Sequence, residues 1–161
     1  MPAQYGSQAR SQTGSKIGWA VRLLGLCIFV VAFFVPAVRA GNPGSEAVVF
    51  PGWKCASVAL TETVALVGKS GVEKPSFEVL LVIFSGWINP LVLLLFVLSI
   101  WRGLLTLRRL LAVIVLLCMA ATWIFFAVQK VTPLMGHFLW IAGALLVILS
   151  AVIDGRQKAI A

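Results

Sequence analysis

The side chains of this 161-residue sequence that could do chemistry are few and far apart. His137 is the single histidine, and the thiols are Cys27, Cys55 and Cys118, with no C-x-x-C pair among them. A haem held by two histidines or a tetrahedral zinc ion needs more ligands than these. The acids Glu46, Glu62, Glu73, Glu78 and Asp154 form no paired-carboxylate site, and one histidine cannot serve as general base and second ligand at once. Neither a Ser/His/Asp set nor a phosphate-cradling glycine loop occurs. The chain therefore reads as non-enzymatic, with no cofactor and no metal expected.

Composition says where such a chain lives. Hydrophobic residues make up 61% and charged residues 11%, against about half and about a quarter in soluble domains. The formal charge of +8 would fit a nucleic-acid partner in a soluble protein, but here the bases flank apolar runs, as lipid headgroups and the positive-inside rule favour. No nucleic-acid partner is expected. Four apolar runs, at 17–38, 79–100, 110–128 and 134–153, are long enough to cross about 30 Å of hydrocarbon at about 1.5 Å per residue. No alternating barrel pattern accompanies them, so an all-α, four-helix transmembrane bundle is expected, filling residues 17–153 and leaving no length for a separate globular domain.

Charge orients the bundle. Arg10, Lys16 and Arg22 near the N-terminus, and Arg102, Arg108 and Arg109 after the second run, have no acid beside them, whereas the 39–78 loop carries four bases and four acids. The first two segments are placed in the cytoplasm and the loop outside; alternation then puts both termini inside. Residues 1–16 are polar and small and are expected to be a disordered cytoplasmic N-terminus, and 154–161 a cytoplasmic tail. The stretch from Ile17 to Pro36, followed by Val38-Arg39-Ala40, resembles a signal peptide, but its apolar part exceeds the usual h-region, so a retained anchor is expected.

The outer loop is the least generic segment. It opens on the turn Gly41-Asn42-Pro43-Gly44, and Phe50 and Trp53 flank Pro51-Gly52 in a way that suits the headgroup level. From Lys54 to Val67, the residues Ala56, Leu60, Val64 and Val67 fall at helical spacing. The stretch is too short to span and is expected to form an amphipathic helix that ends at Gly68 and Gly71 and closes the bundle's outer mouth. Cys55 has no partner in that loop and is expected to be buried beneath it.

Inside the spans the exceptions to apolarity stand out. Gly86-Trp87-Ile88-Asn89-Pro90 puts a proline and an amide near the middle of the second run. Pro90 removes a backbone hydrogen bond and bends the helix; Asn89 needs a partner in lipid, such as a carbonyl freed by that bend, and so should face the bundle. Small residues recur every seven positions at Gly18, Gly25 and Ala32 in the first run and at Gly136, Gly143 and Ser150 in the fourth. These two stripes are expected to meet, closing the bundle, unless one serves a homodimer. His137, beside Phe138 and near Trp140, is expected at the interface with its ring reaching water, and Arg22 is expected to snorkel to the inner face. Ion-coupled transport is disfavoured because no buried charge is expected in the spans.

Pro51-Gly52-Trp53, Trp87-Ile88-Asn89-Pro90, Arg108-Arg109 and the run from Gly136 to Ala142 together resemble a group of small, uncharacterised bacterial four-span membrane proteins. The resemblance implies a bacterial inner membrane and no particular reaction. Trp53-Lys54-Cys55 also resembles the first-loop motif of claudin-like tetraspans, but the second loop cysteine of that family is missing. The expected role is an accessory or assembly subunit whose partners are the lipid bilayer and another membrane protein or a second copy. The alternative is a lipid- or quinone-binding module in which Asn89, Trp87, Trp140 and His137 line a pocket open to the outer face.

Overall fold

The computed structural model describes residues 3–41, 48–68, 76–101 and 104–156; the side chains of 3–16, 66–68 and 152–156 are outside this description. The Asn42-Pro43-Gly44 turn, Gly71, the Val67 side chain and the tail beyond Arg156 lie outside it too. The described residues form α1 (Ala3–Ala32), β1 (Pro36–Ala40), β2 (Val48–Pro51), α2 (Gly52–Gly68), α3 (Phe77–Ile100), α4 (Leu105–Gln129), β3 (Thr132–Pro133) and α5 (Met135–Arg156). The chain is thus mostly helical. Two helices, α3 and α4, are long and apolar enough to cross a membrane; the apolar parts of α1 and α5, Ile17–Ala32 and Met135–Ala151, are shorter.

Several boundaries differ from the sequence expectation. The backbone of 3–16, expected to be disordered, is helical and continuous with α1, because extending a formed helix adds one hydrogen bond per residue and nothing there breaks it. At its other end α1 stops at Ala32 and not at Val38. Phe33 and Phe34 close a turn by donating to the carbonyls of Val30 and Val31 at 3.1 and 3.0 Å, and Pro36 then begins a strand, as the fixed φ of proline favours. α3 starts where Ser76 caps the Val79 amide at 3.4 Å, with Glu78 in the first turn against the positive end of the helix dipole. α4 ends as Lys130 takes a left-handed conformation, φ 52°, and returns its amide to the Phe126 carbonyl.

Three short strands form one sheet in the order β2-β1-β3, all antiparallel, with Val38 paired to Phe50 on one side and to Pro133 on the other. The sheet ties the end of α1 to the start of α5, and the Leu134 amide adds a bond to the Ala37 carbonyl at 2.8 Å.

α1 and α5 make the most extensive helix pairing of the described residues. They run antiparallel along the small residues: a Cβ built on Gly143 would lie 2.5 Å from the Phe29 amide nitrogen and 2.8 Å from the Gly25 carbonyl oxygen. Gly18, Ala32, Gly136 and Ser150 are buried as well. Phe29, Val147 and Ala144 carry this seam into the core, where Ile88, Val92 and Leu95 of α3 meet Leu111, Val115 and Cys118 of α4. Around that core the outer faces of α1, α3, α4 and α5 expose large apolar side chains along most of their length.

α2 turns the other way from the expected wheel. It packs on α3 through Ala59, whose backbone oxygen lies 3.0 Å from a Cβ built on Gly86, and through buried Thr63, while Leu60 and Val64 are exposed. Only small side chains let the helix come this close, so the bulky ones are left outside.

Gly143→Ala forces a methyl group into the α1 backbone, and we expect it to cost about 1–3 kcal/mol and to lower the melting temperature of the detergent-solubilised protein. Ala142→Val, one residue along on an exposed face, should leave it unchanged. Equal melting of the two variants would show that the α1–α5 seam does not depend on this close approach.

Candidate functional site

Beneath the sheet and α2, between α3, α4 and α5, lies a cavity of about 360 Å³. Its walls are largely apolar, with Phe33, Phe50, Phe125, Phe126 and Trp140 supplying aromatic rings and Ala37, Val38, Ala56, Val58 and Val82 smaller groups. Asn89, His137, Cys55, Ser85, Thr122, Lys54 and Glu62 are its polar members.

Asn89 reaches the cavity from the middle of α3, beside Pro90. Its partner is not a carbonyl freed at Pro90 but the indole of α5: Trp140 Nε1 donates to Asn89 Oδ1 at 2.8 Å. An indole N–H can only donate, so this bond fixes the amide orientation and leaves Nδ2, with two donor hydrogens, on the other side. Trp140 in turn stacks on His137, ring centroids 5.4 Å apart and planes 26° apart, and on Phe29 at 6.3 Å and 29°.

His137 departs from the sequence expectation most. Far from reaching water, it is 5% exposed. β3 and the first turn of α5 bring it inward, where Trp123 meets it edge-on at 5.4 Å and Phe126 lies 4.7 Å away. Phe138, the next residue, takes the exposed side instead. His137 Nε2 is buried and has no hydrogen-bond partner among the described residues. An imidazole nitrogen left this way loses its hydration without replacement, which costs roughly 1–3 kcal/mol. The remaining polar groups are partly occupied: Thr122 Oγ1 donates to the Cys118 carbonyl at 3.1 Å, and Ser85 Oγ to the Val82 carbonyl at 3.0 Å. Lys54 at the rim lies over the Phe50 ring, 5.4 Å from its centroid, a cation–π contact.

Of the residues singled out in the sequence, Asn89, His137, Trp140 and Cys55 converge here. Trp87 does not: it is 47% exposed and points away from the cavity lining. Pro90 and Trp53 are exposed as well, and Trp53 serves through its backbone, donating to the Phe33 carbonyl at 2.9 Å. Gly136 sits under the sheet, where a Cβ would lie 2.7 Å from the Pro36 oxygen. Cys27, Cys55 and Cys118 are free thiols, exposed, half-buried and buried in turn. Burial pushes the Cys55 thiol above its ordinary pKa, because the low-dielectric wall disfavours the thiolate.

At the opposite end the expectation of no buried charge is overturned. Arg22 does not snorkel; it is 2% exposed and its Nη1 donates to the Ser99 carbonyl at 3.0 Å, in the last turn of α3. Arg108, inside α4, is 4% exposed. The small-residue face of α1, Gly18, Gly25 and Ala32, turns toward α5, and Arg22 lies on that same buried face. Among the described residues no group of three or more His, Cys, Asp or Glu side chains could hold a metal ion.

The chain matches no family model, no curated protein and no solved structure, so the resemblance to small bacterial four-span proteins rests on its short motifs alone.

Two outcomes check this geometry. In a double-mutant cycle, Asn89→Leu and Trp140→Phe should each lower stability, with a coupling of about 0.6–2 kcal/mol; purely additive effects would mean the bond is not made. In a variant that retains only Cys55, iodoacetamide should react more slowly than with a free peptide thiol between about pH 7 and 9, the gap narrowing as pH rises through the raised pKa. Equal rates would place Cys55 in open solvent.

Proposed function

We propose that this protein is a polytopic membrane protein, with α1, α3, α4 and α5 as four crossings, that binds a small apolar ligand in the cavity at its outer end. One observation carries the binding reading: Asn89, His137 and Trp140, from two helices far apart in sequence, converge on a mostly apolar cavity. A cavity of about 360 Å³ with few convergent polar groups has the size and character of small-molecule pockets, typically about 300–1,000 Å³. Had the bundle served only as an assembly subunit, a closed apolar core would have been more stable than this one.

Membrane residence has its own support. The outward apolar side chains of α1, α3, α4 and α5, together with Trp53, Val58, Leu60 and Val64 of α2, cover far more than the few hundred Å² that a soluble monomer exposes. Lipid is the solvent that such a surface fits. The acid-free basic segments at the Arg22 end favour the cytoplasmic side for both termini, and the motif resemblance favours a bacterial inner membrane.

Filling the cavity tests the binding reading. Protein purified in mild detergent should retain a small molecule in native mass spectrometry, and Ala56→Phe, which occupies the cavity, should release it while melting at the wild-type temperature. Identical bare-chain masses for both proteins would count against a ligand site. A reporter fused after Ala161 that is active only outside the cell would reverse the orientation.

A further inference from the structure

The cavity has a mouth, and the exposure of its lining shows where. Of the residues around it three are exposed, Lys54, Val58 and Glu62; the others are buried or half-buried. These three fall four residues apart, so they share one edge of α2, with Lys54 and Glu62 about 12 Å apart along the axis at about 1.5 Å per residue. α2 rests on α3, β1 and β2, and no comparable packing joins it to α4 among the described residues. α4 supplies Thr122, Phe125 and Phe126 to the lining. The mouth is therefore a slot along the unsupported edge of α2, while Ala37, Val38 and Phe50 close the cavity under the sheet.

Polarity is divided between rim and interior. The two charged side chains of the lining, Lys54 and Glu62, stand at opposite ends of the slot. Inside, the Thr122 and Ser85 hydroxyls donate to carbonyls of their own helices, Asn89 Oδ1 accepts from Trp140, and His137 Nε2 is enclosed by protein. Little but apolar surface meets a ligand there. A charged or strongly polar head would lose its hydration inside without a partner to replace it, so the head stays at the rim and the apolar part enters.

The surroundings of the slot are apolar as well. Val58 at its midpoint, Leu60 and Val64 on α2, and Ile124 and Val128 on the same stretch of α4 as Phe125 are exposed. In the proposed membrane such a surface faces hydrocarbon, so the slot opens sideways into lipid and not upward into water. Walls that face an unfilled space forgo dispersion contacts, and the molecules at hand to restore them are the lipid chains at the mouth. A chain enters without crossing water, and its narrow, flexible form suits an opening about two helical turns long.

Resting on the binding reading above, we propose that the ligand is an acyl chain of a bilayer lipid, inserted sideways through the slot beneath α2, with the lipid head left at the rim. Val58, midway along that rim, sets the width of the opening.

Photolabelling from within the bilayer tests this. The full chain is placed in phosphatidylcholine nanodiscs doped with a phosphatidylcholine that carries a diazirine on one acyl chain, and labelled residues are mapped by mass spectrometry. Leu94 and Leu117, exposed on α3 and α4, report contact with the surrounding lipid. The expected result is labelling at both and also at Cys55, Thr122 and Phe126 inside the cavity. Val58→Trp should abolish the cavity labelling while Leu94 and Leu117 are labelled as before, and Val58→Ala should keep it; the melting temperature of each variant checks folding. Labelling confined to Leu94 and Leu117, with a retained molecule in native mass spectrometry that is not a lipid, overturns the acyl chain and leaves the binding reading standing. The same confined labelling with a bare chain in native mass spectrometry overturns both. Cavity labelling that persists in folded Val58→Trp overturns the slot as the entrance. Absence of label at Leu94 and Leu117 overturns the lipid setting and the proposal with it.

Discussion

Two helices can bring their backbones into contact only where neither places a side chain between them, and this constraint governs the molecule. Gly25 and Gly143 face each other with the Gly25 oxygen and the Phe29 amide nitrogen within 3 Å of where a Gly143 Cβ would sit. In the lipid setting proposed above, apolar side chains gain nothing by leaving their surroundings, and helix association rests on such dispersion contacts and on a few hydrogen bonds. Once α1 and α5 are locked antiparallel, the end of one and the start of the other are neighbours. β1 and β3 then lie close enough to pair, and β2 follows by antiparallel pairing with β1. The sheet and the seam hold the first turn of α5 in one orientation, and that orientation puts His137 and Trp140 inside.

The polar groups are distributed unequally between the two ends. At the end of α3, the Arg22 guanidinium meets the Ser99 carbonyl, a cation at the negative end of a helix dipole, which offsets part of the burial of the charge. Arg108, buried at the same end, leaves its Nε without a hydrogen-bond partner among the described residues. At the other end Trp140 satisfies the Asn89 oxygen and no described residue reaches the His137 Nε2. A bundle stabilised only for packing would have an apolar residue in place of the imidazole, since a half-satisfied polar network is less stable than an apolar core.

How much of this the chain disclosed before folding depends on the range of the interaction. The apolar runs map onto α3, α4 and α5 within a few residues, α1 departs at both ends by starting at Ala3 and stopping at Ala32, and the seven-residue spacing of small residues coincides with the α1–α5 seam, because these signals are local and periodic. The strands were illegible: at five, four and two residues they are too short for alternation to show, and they exist only because the seam brings them together. The exposed face of α2 is not readable in the sequence for a related reason. In water the bulky residues Leu60 and Val64 would turn inward, but against Gly86 only Ala59 and Thr63 fit, and lipid makes the outward placement inexpensive. Asn89 could be recognised as needing a partner, yet the indole that supplies it lies 51 positions away. His137 beside Phe138 gave no local sign of which of the two would turn inward.

The same long-range dependence makes the cavity a consequence of the fold and not of any one segment. Its floor comes from α3, α4 and α5, its roof from β1, β2 and α2, and the roof is joined to the bundle largely through backbone: the Gly52 amide to the Val35 carbonyl at 3.2 Å and the Trp53 amide to the Phe33 carbonyl at 2.9 Å. A roof attached by main-chain bonds at one edge and by small side chains at Ala59 leaves space beneath it, lined from α2 mainly by Cys55, Ala56, Val58 and Ala59. The void therefore follows from the close packing of α2 on Gly86: the residues small enough to permit that approach are too small to fill the volume under them. Filling by an apolar ligand would restore the dispersion contacts that the small residues forgo.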